Sequence, residues 1–223
     1  MFRYLDRGYQ RNIVLIPGWA ADYRIFDSLN LKFNYFLPLD FSPFSFEGNL
    51  RNVMEERKIG KVSLFGWSLG GFLAAEFAIK HPKSVDELIL VGIRRKYNEK
   101  SIAEIKGLLK KSKKGYLYKF YARCFSKKES LNWFKKNLFK NYCEEFDLGH
   151  LFATLDYLGK AKINTQELTG IKQVKIIHGD NDEIAPIDEA REIKEAIAGA
   201  ELMIIKNSGH IPFLEADLGE YIW

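Results

Sequence analysis

The chain is sparing with cysteine and histidine, and it has no long apolar run. Cys124 and Cys143 are the whole cysteine complement. No metal-ligand spacing separates them, so both are expected to be buried or partly buried thiols in a reducing compartment. No apolar stretch approaches the ~18–20 residues that span a bilayer. The opening Met1-Phe2-Arg3-Tyr4-Leu5-Asp6 lacks the charged-then-apolar layout of a secretory signal. These absences together predict a cytoplasmic protein that does not enter the membrane. A G-x-x-x-x-G-K-[ST] loop is also missing, which disfavours phosphoryl transfer. Only four histidines are present, so any histidine chemistry must come from a short set of candidates.

What is there fits an ordinary globular protein. A length of 223 residues with 47% apolar and 28% charged content suits one substantial core rather than two full domains. The net charge of +5 hides an uneven distribution. Residues 94–165 hold 18 basic and 7 acidic side chains, a local +11, which leaves −6 for the remainder. An acidic body therefore carries a strongly basic central insert.

The body reads as short apolar strands alternating with helices. Asn12–Ile16 is a β-branched run closed by Pro17-Gly18. Tyr35–Asp40 is a weaker strand candidate because Pro38 would interrupt its ladder. Val62–Phe65 runs into Gly66, and Leu69–Lys80 follows with helical periodicity until His81-Pro82 stops it. Leu88–Val91 is a fourth strand. Val174–Ile177 and Leu202–Ile205 complete the set, with a helical stretch over Ile187–Ala198 between them. This is an α/β pattern: a mostly parallel sheet covered on both faces, with functional loops at the carboxyl ends of the strands. Residues 94–165 instead read as amphipathic helices, with aromatics such as Tyr97, Tyr116, Phe120, Tyr121 and Trp133 set among lysines. The expected organisation is a core of residues 1–93 and 166–223 with a helical lid inserted at 94–165.

Gly66-Trp67-Ser68-Leu69-Gly70-Gly71 fits G-x-S-x-G between a strand and a helix. Such a turn is sharp and strained, and its glycines let strand and helix close together. Chance supplies only about 0.06 such motifs in a chain of this composition. Ser68 is therefore the candidate nucleophile. A serine hydroxyl needs a base, usually a histidine oriented by a carboxylate. His81 at a helix end reads as solvated or capping, His150 in the insert as a surface or packing residue, and His178 at a strand end as buried and hydrogen-bonded. His210, in Ser208-Gly209-His210 after the last strand, lies where the chain order nucleophile, acid, histidine requires the base. Gly179-Asp180-Asn181-Asp182-Glu183 supplies the acid. Asp182 is favoured, Asp180 reads as a turn former or second choice, and Glu183 as solvent-facing. The oxyanion hole is expected from the backbone N–H of Leu69 and of Trp19, the latter in the loop after the first strand.

These motifs resemble the α/β-hydrolase superfamily over nearly the whole chain. Within it, the tryptophans of Pro17-Gly18-Trp19 and Gly66-Trp67-Ser68-Leu69-Gly70-Gly71 are similar to those of the pimeloyl-acyl-carrier-protein methyl ester esterases of biotin synthesis. That resemblance implies a serine carboxylesterase that removes a methyl group from a pimeloyl chain held on acyl carrier protein, with no metal and no organic cofactor. The basic insert fits an acidic carrier protein independently. Lys110, Lys111, Lys113, Lys114, Lys119, Arg123, Lys127 and Lys128 are the candidate docking residues, and Trp67 a candidate substrate or carrier contact. The sequence departs from the superfamily in two places: the early antiparallel strands are expected to be short or missing, and little chain follows His210 for a last helix.

The alternatives are a general short-chain carboxylesterase or acyl thioesterase on small substrates and, more remotely, a catalytically silent hydrolase-fold binding protein. The basic, aromatic insert also invites a nucleic-acid reading, but such a module has no use for Ser, Asp and His at three strand ends. The expectation is a monomer that binds no nucleic acid.

Overall fold

The computed structural model describes residues 1–219 and Ile222. Seven strands form one sheet: β1 Phe2–Leu5, β2 Asn12–Ile16, β3 Asn34–Pro38, β4 Val62–Trp67, β5 Val85–Val91, β6 Val174–Gly179 and β7 Glu201–Ile205. Their spatial order is β1-β3-β2-β4-β5-β6-β7. Every neighbouring pair is parallel except β1 with β3. β2 through β6 are near-continuous apolar runs because both faces are covered; all six residues of β4 and of β6 are buried.

Helices α1 (Phe46–Glu56), α2 (Leu69–Lys80) and α8 (Ile187–Ala196) pack on the sheet. α1 escapes the sequence reading, although Phe46, Leu50 and Met54 bury one stripe at helical spacing. β3 is firmer than its proline suggests. Its parallel pairing with β2 runs only from Asn34 to Phe36, so Pro38 lies beyond those bonds. The early antiparallel strands reduce to the four-residue β1. The helix expected after His210 is, within the described residues, a single tight turn over Pro212–Leu214.

Between β5 and β6 the chain forms α3 (Glu99–Lys111), α4 (Lys113–Cys124), α5 (Lys128–Phe134), a π-helical turn (Lys135–Phe139), α6 (Lys140–Glu145) and α7 (Leu148–Lys160). The foot of this insert is closed by an antiparallel bridge between Lys96 and Lys162 and by the Ile163 N–H donating to the Arg95 carbonyl at 2.9 Å. Aromatic rings fill its interior, with Tyr121 against Phe134 at 4.6 Å between centroids and Phe134 against Tyr142 at 5.9 Å. Among the described residues no helix is long and apolar enough to cross a membrane.

Candidate active site

All the parallel strands point the same way, so the loops after β2, β4, β6 and β7 meet at one edge. Ser68 follows β4 directly and begins the turn into α2. Its backbone sits at φ 53°, ψ −115°, a left-handed conformation that costs a non-glycine residue energy. The turn is tight enough to exclude side chains on both flanks. A Cβ on Gly66 would lie 2.4 Å from the Gly70 carbonyl oxygen, and one on Gly70 would lie 2.2 Å from that of Ile16.

His210 comes to Ser68 from 142 residues away: Nε2 is 2.9 Å from the serine Oγ, and Nδ1 is 2.7 Å from Asp182 Oδ2. A carboxylate can only accept here, so Nδ1 donates to it, and in the neutral ring Nε2 accepts from the serine hydroxyl. Both imidazole and carboxylate are shut off from solvent. Asp182 is fixed by its other oxygen, which accepts the N–H groups of Ile184 and Ala185, each at 2.8 Å. Burial works to raise the Asp182 pKa, but His210, His178 and the Ala185 N–H outweigh it and hold the carboxyl below its ordinary value. Asp180 and Glu183 are exposed. Asp180 accepts from the Ser208 N–H at 3.3 Å, the turn-forming role its position suggests.

The other histidines stay out of the reaction centre. His178 is fully buried, and its Nε2 donates to the Ala185 carbonyl at 2.7 Å while lying 3.3 Å from Asp182 Oδ2. Burial depresses its pKa, so it supports the acid loop as a neutral ring. His81 pairs with Glu47 at 2.9 Å, and His150 stacks on Phe146.

Leu69 is the first residue of α2, so its N–H belongs to the free donors of a helix start. Trp19 precedes Ala20, whose φ of 57° turns the loop sharply after β2. The Tyr121 hydroxyl, from α4, donates to the Ala20 carbonyl and anchors that turn. Trp19 and Ser68 line a cavity of about 300 Å³. Its apolar wall includes Ile102, Phe120, Leu155 and Leu158 from the insert. The Trp19 indole meets Phe120 edge-on at 4.9 Å and donates to the Leu151 carbonyl at 3.2 Å.

Two cavity residues have no catalytic signal in the sequence. Tyr97 lines the same cavity as Ser68; burial pushes its phenol up to about 12, with its interaction with Ser68 acting the other way. Arg94 stacks over the Tyr97 ring at 5.0 Å and is held by Glu189 at 2.5 Å. Both reach the site only because the chain doubles back after β5.

The expected docking residues divide. Lys110, Lys111, Lys114, Lys119 and Lys128 are exposed. Lys113 and Lys127 are half-buried instead, Lys113 donating to the Phe146 carbonyl at 2.8 Å and the Lys127 ammonium to the Glu215 carbonyl; Arg123 is exposed and pairs with the exposed Glu183 at 3.2 Å. Trp67 is not at a substrate surface. It is 1% exposed, donates its indole N–H to the His210 carbonyl at 2.8 Å, and packs on Phe213. As the last residue of β4 it points behind the histidine loop, so it supports His210.

The family model for the alpha/beta hydrolase fold matches residues 21–148. The chain belongs to the α/β-hydrolase family. That match spans Ser68 and most of the insert but ends before Asp182 and His210, which the geometry brings in. The pimeloyl-[acyl-carrier protein] methyl ester esterase of Nitrosomonas europaea is 27% identical over 91% of this chain and 90% of its own length. The AB hydrolase superfamily protein YisY of Bacillus subtilis is 26% identical over 94% and 88%. Among solved structures, an esterase from Exiguobacterium antarcticum superposes with a TM-score of 0.81 at 21% identity, covering 96% of this chain and 90% of that one. This α/β-hydrolase is an enzyme, with esterase-like hydrolysis as its class of reaction.

Proposed function

We propose that this hydrolase is a serine carboxylesterase acting on a methyl ester of an acyl chain, with pimeloyl methyl ester on acyl carrier protein as its substrate. The observation that carries the catalytic part is the buried Ser68–His210–Asp182 relay, with contacts of 2.9 and 2.7 Å. In this reading Ser68 Oγ attacks the ester carbonyl while His210 Nε2 takes its proton. The N–H groups of Leu69 and Trp19 receive the charge on the tetrahedral oxygen. His210 then protonates the departing methanol, and water repeats the sequence on the acyl-enzyme to release the carboxylate.

The carrier part rests on the relative's substrate and on the shape of the insert. A groove of about 490 Å³ between α3 and α4 presents exposed Leu108 with Lys111 and Lys119. It shares Tyr116, Phe120 and Arg123 with the Ser68 cavity. A cationic, partly apolar path to the nucleophile suits an acyl arm on an acidic protein.

The deciding experiment compares pimeloyl methyl ester on acyl carrier protein with p-nitrophenyl butyrate, for the native chain and Ser68→Ala. Preference for the carrier-bound ester, weakened by salt and abolished in Ser68→Ala, is the expected outcome. Turnover of the small ester alone would reject the carrier and leave a general short-chain esterase. Unchanged activity in Ser68→Ala would reject the nucleophile.

A further inference from the structure

Glu215 stands where the histidine loop meets the insert, and it is 7% exposed. Its Oε1 accepts the N–H groups of Ser126 at 2.9 Å and Lys127 at 2.5 Å, which form the turn between α4 and α5. Its Oε2 accepts the Gly209 N–H at 2.5 Å and the Ser208 hydroxyl at 3.2 Å. A carboxylate has about four lone-pair sites, and four donors meet them here. One buried side chain thus joins the insert to the two residues that immediately precede His210.

The seam around it is continuous. The His210 N–H donates to the Cys124 carbonyl at the end of α4 at 2.8 Å. The Ser130 hydroxyl donates to the Leu214 carbonyl at 3.0 Å, and the Asn181 amide, from the acid loop, donates to Ser126 Oγ at 3.1 Å. There is no slack in the packing, since a Cβ on Gly209 would lie 2.5 Å from the Cys124 carbonyl oxygen. β7 ends at Ile205, so the loop bearing His210 is held from one side by Trp67 and from the other by Glu215 and the α4–α5 turn.

We infer that Glu215 is a positioning residue: by anchoring the His210 loop to the α4–α5 turn of the insert, it keeps the imidazole aligned between Ser68 and Asp182. This rests on the reading of His210 as the base. Glu215→Gln replaces one acceptor oxygen with an amide donor. In either amide orientation that NH2 faces two existing donors, so half of the set is lost. A displacement of about 1 Å at a catalytic group can cost roughly 100-fold in rate.

The test uses the full chain as Glu215→Gln, Ser208→Ala and His210→Ala. Each is measured for kcat and KM on p-nitrophenyl butyrate, for thermal unfolding, and for the low-field proton resonance of the His210–Asp182 hydrogen bond. The expected result for Glu215→Gln is kcat down roughly 10–100-fold with KM within about twofold, and a shifted or lost low-field resonance. Ser208→Ala removes one contact and should act in the same direction, by roughly 2–5-fold in kcat. A folded Glu215→Gln enzyme with native kcat and resonance, beside an inactive His210→Ala, would overturn the role of Glu215 alone. If Glu215→Gln does not fold, Ser208→Ala decides, and native values there would overturn it. Native activity in His210→Ala would remove the base and this inference together.

Discussion

The sheet and the insert solve opposite problems with opposite materials. The sheet buries apolar strands on both faces and places its reactive groups on strand-end turns, where backbone clearance allows almost no side-chain change. The insert faces water on one side. It covers an aromatic interior with lysines and lends side chains to the cavity wall. The candidate relay therefore rests on backbone geometry set by the core, whereas much of the cavity wall is built from helix side chains of the insert. The two regions meet along several seams, among them Tyr121 on Ala20, Cys124 on His210, and Glu215 on the α4–α5 turn.

This contrast breaks most visibly at the relay. Ser68→Ala or His210→Ala should lower kcat by roughly 10⁴-fold or more while leaving the thermal transition intact. Retained activity in either variant would move the chemistry out of the core edge.

Next come the glycines. Gly70→Ala forces a methyl onto the Ile16 carbonyl, with 2.2 Å available, and should destabilise the fold by about 3 kcal/mol or more in urea denaturation. A native midpoint would show that α2 can retreat from the sheet.

The insert should respond on a different axis. Reversing Lys111 and Lys119 to glutamate is expected to reduce kcat/KM for the carrier-bound ester roughly 10–100-fold at low salt and leave p-nitrophenyl butyrate unchanged. Equal loss on both substrates would make these lysines structural. At Gly107 in α3 nothing lies within 4 Å of an added Cβ. Gly107→Ala should therefore stabilise the chain by about 0.5–1 kcal/mol through helix propensity, the reverse of Gly70→Ala.

The smallest effect separates the regions by pH. The folded-state pKa values of His178 and Asp182 are both lowered. In each case the unfolded chain binds the proton first, so the stability these groups contribute is present at neutral pH and declines on acidification. The His178 part falls away below about 6.5 and the Asp182 part below about 3.9, the ordinary values for the two groups. Denaturation midpoints at pH 7.5, 5.5 and 3.5 check this. A midpoint independent of pH over that interval would mean that neither buried group titrates with folding.

Much of the candidate site is legible in the sequence. The Gly66–Gly71 turn is a local pattern: strand, strained serine, helix and two small residues leave a signature within six positions. The limits of α2 are readable for the same reason, since periodicity is a local quantity. Less was legible where neighbours in space are distant in sequence. Trp67 read as a substrate contact because its motif adjoins Ser68, but β-strand alternation and packing turned it behind His210. Lys113, Arg123 and Lys127 read as docking residues, yet each is also engaged by a group from a separate segment. Arg94 and Glu215 carry no pattern at all, and Tyr97 reads only as one of the insert's aromatics.

By itself the sequence determined the α/β alternation, the candidate nucleophile and the order of the candidate groups, because each follows from spacing within one turn, strand or helix. Tertiary structure alone decided that Trp67 lies behind His210 and that Lys113 and Lys127 are engaged within the fold. It also decided how the insert is tied to the histidine loop. Those outcomes depend on where segments up to 143 residues apart in the chain come to rest, and packing and hydrogen-bond satisfaction across the whole fold settle that.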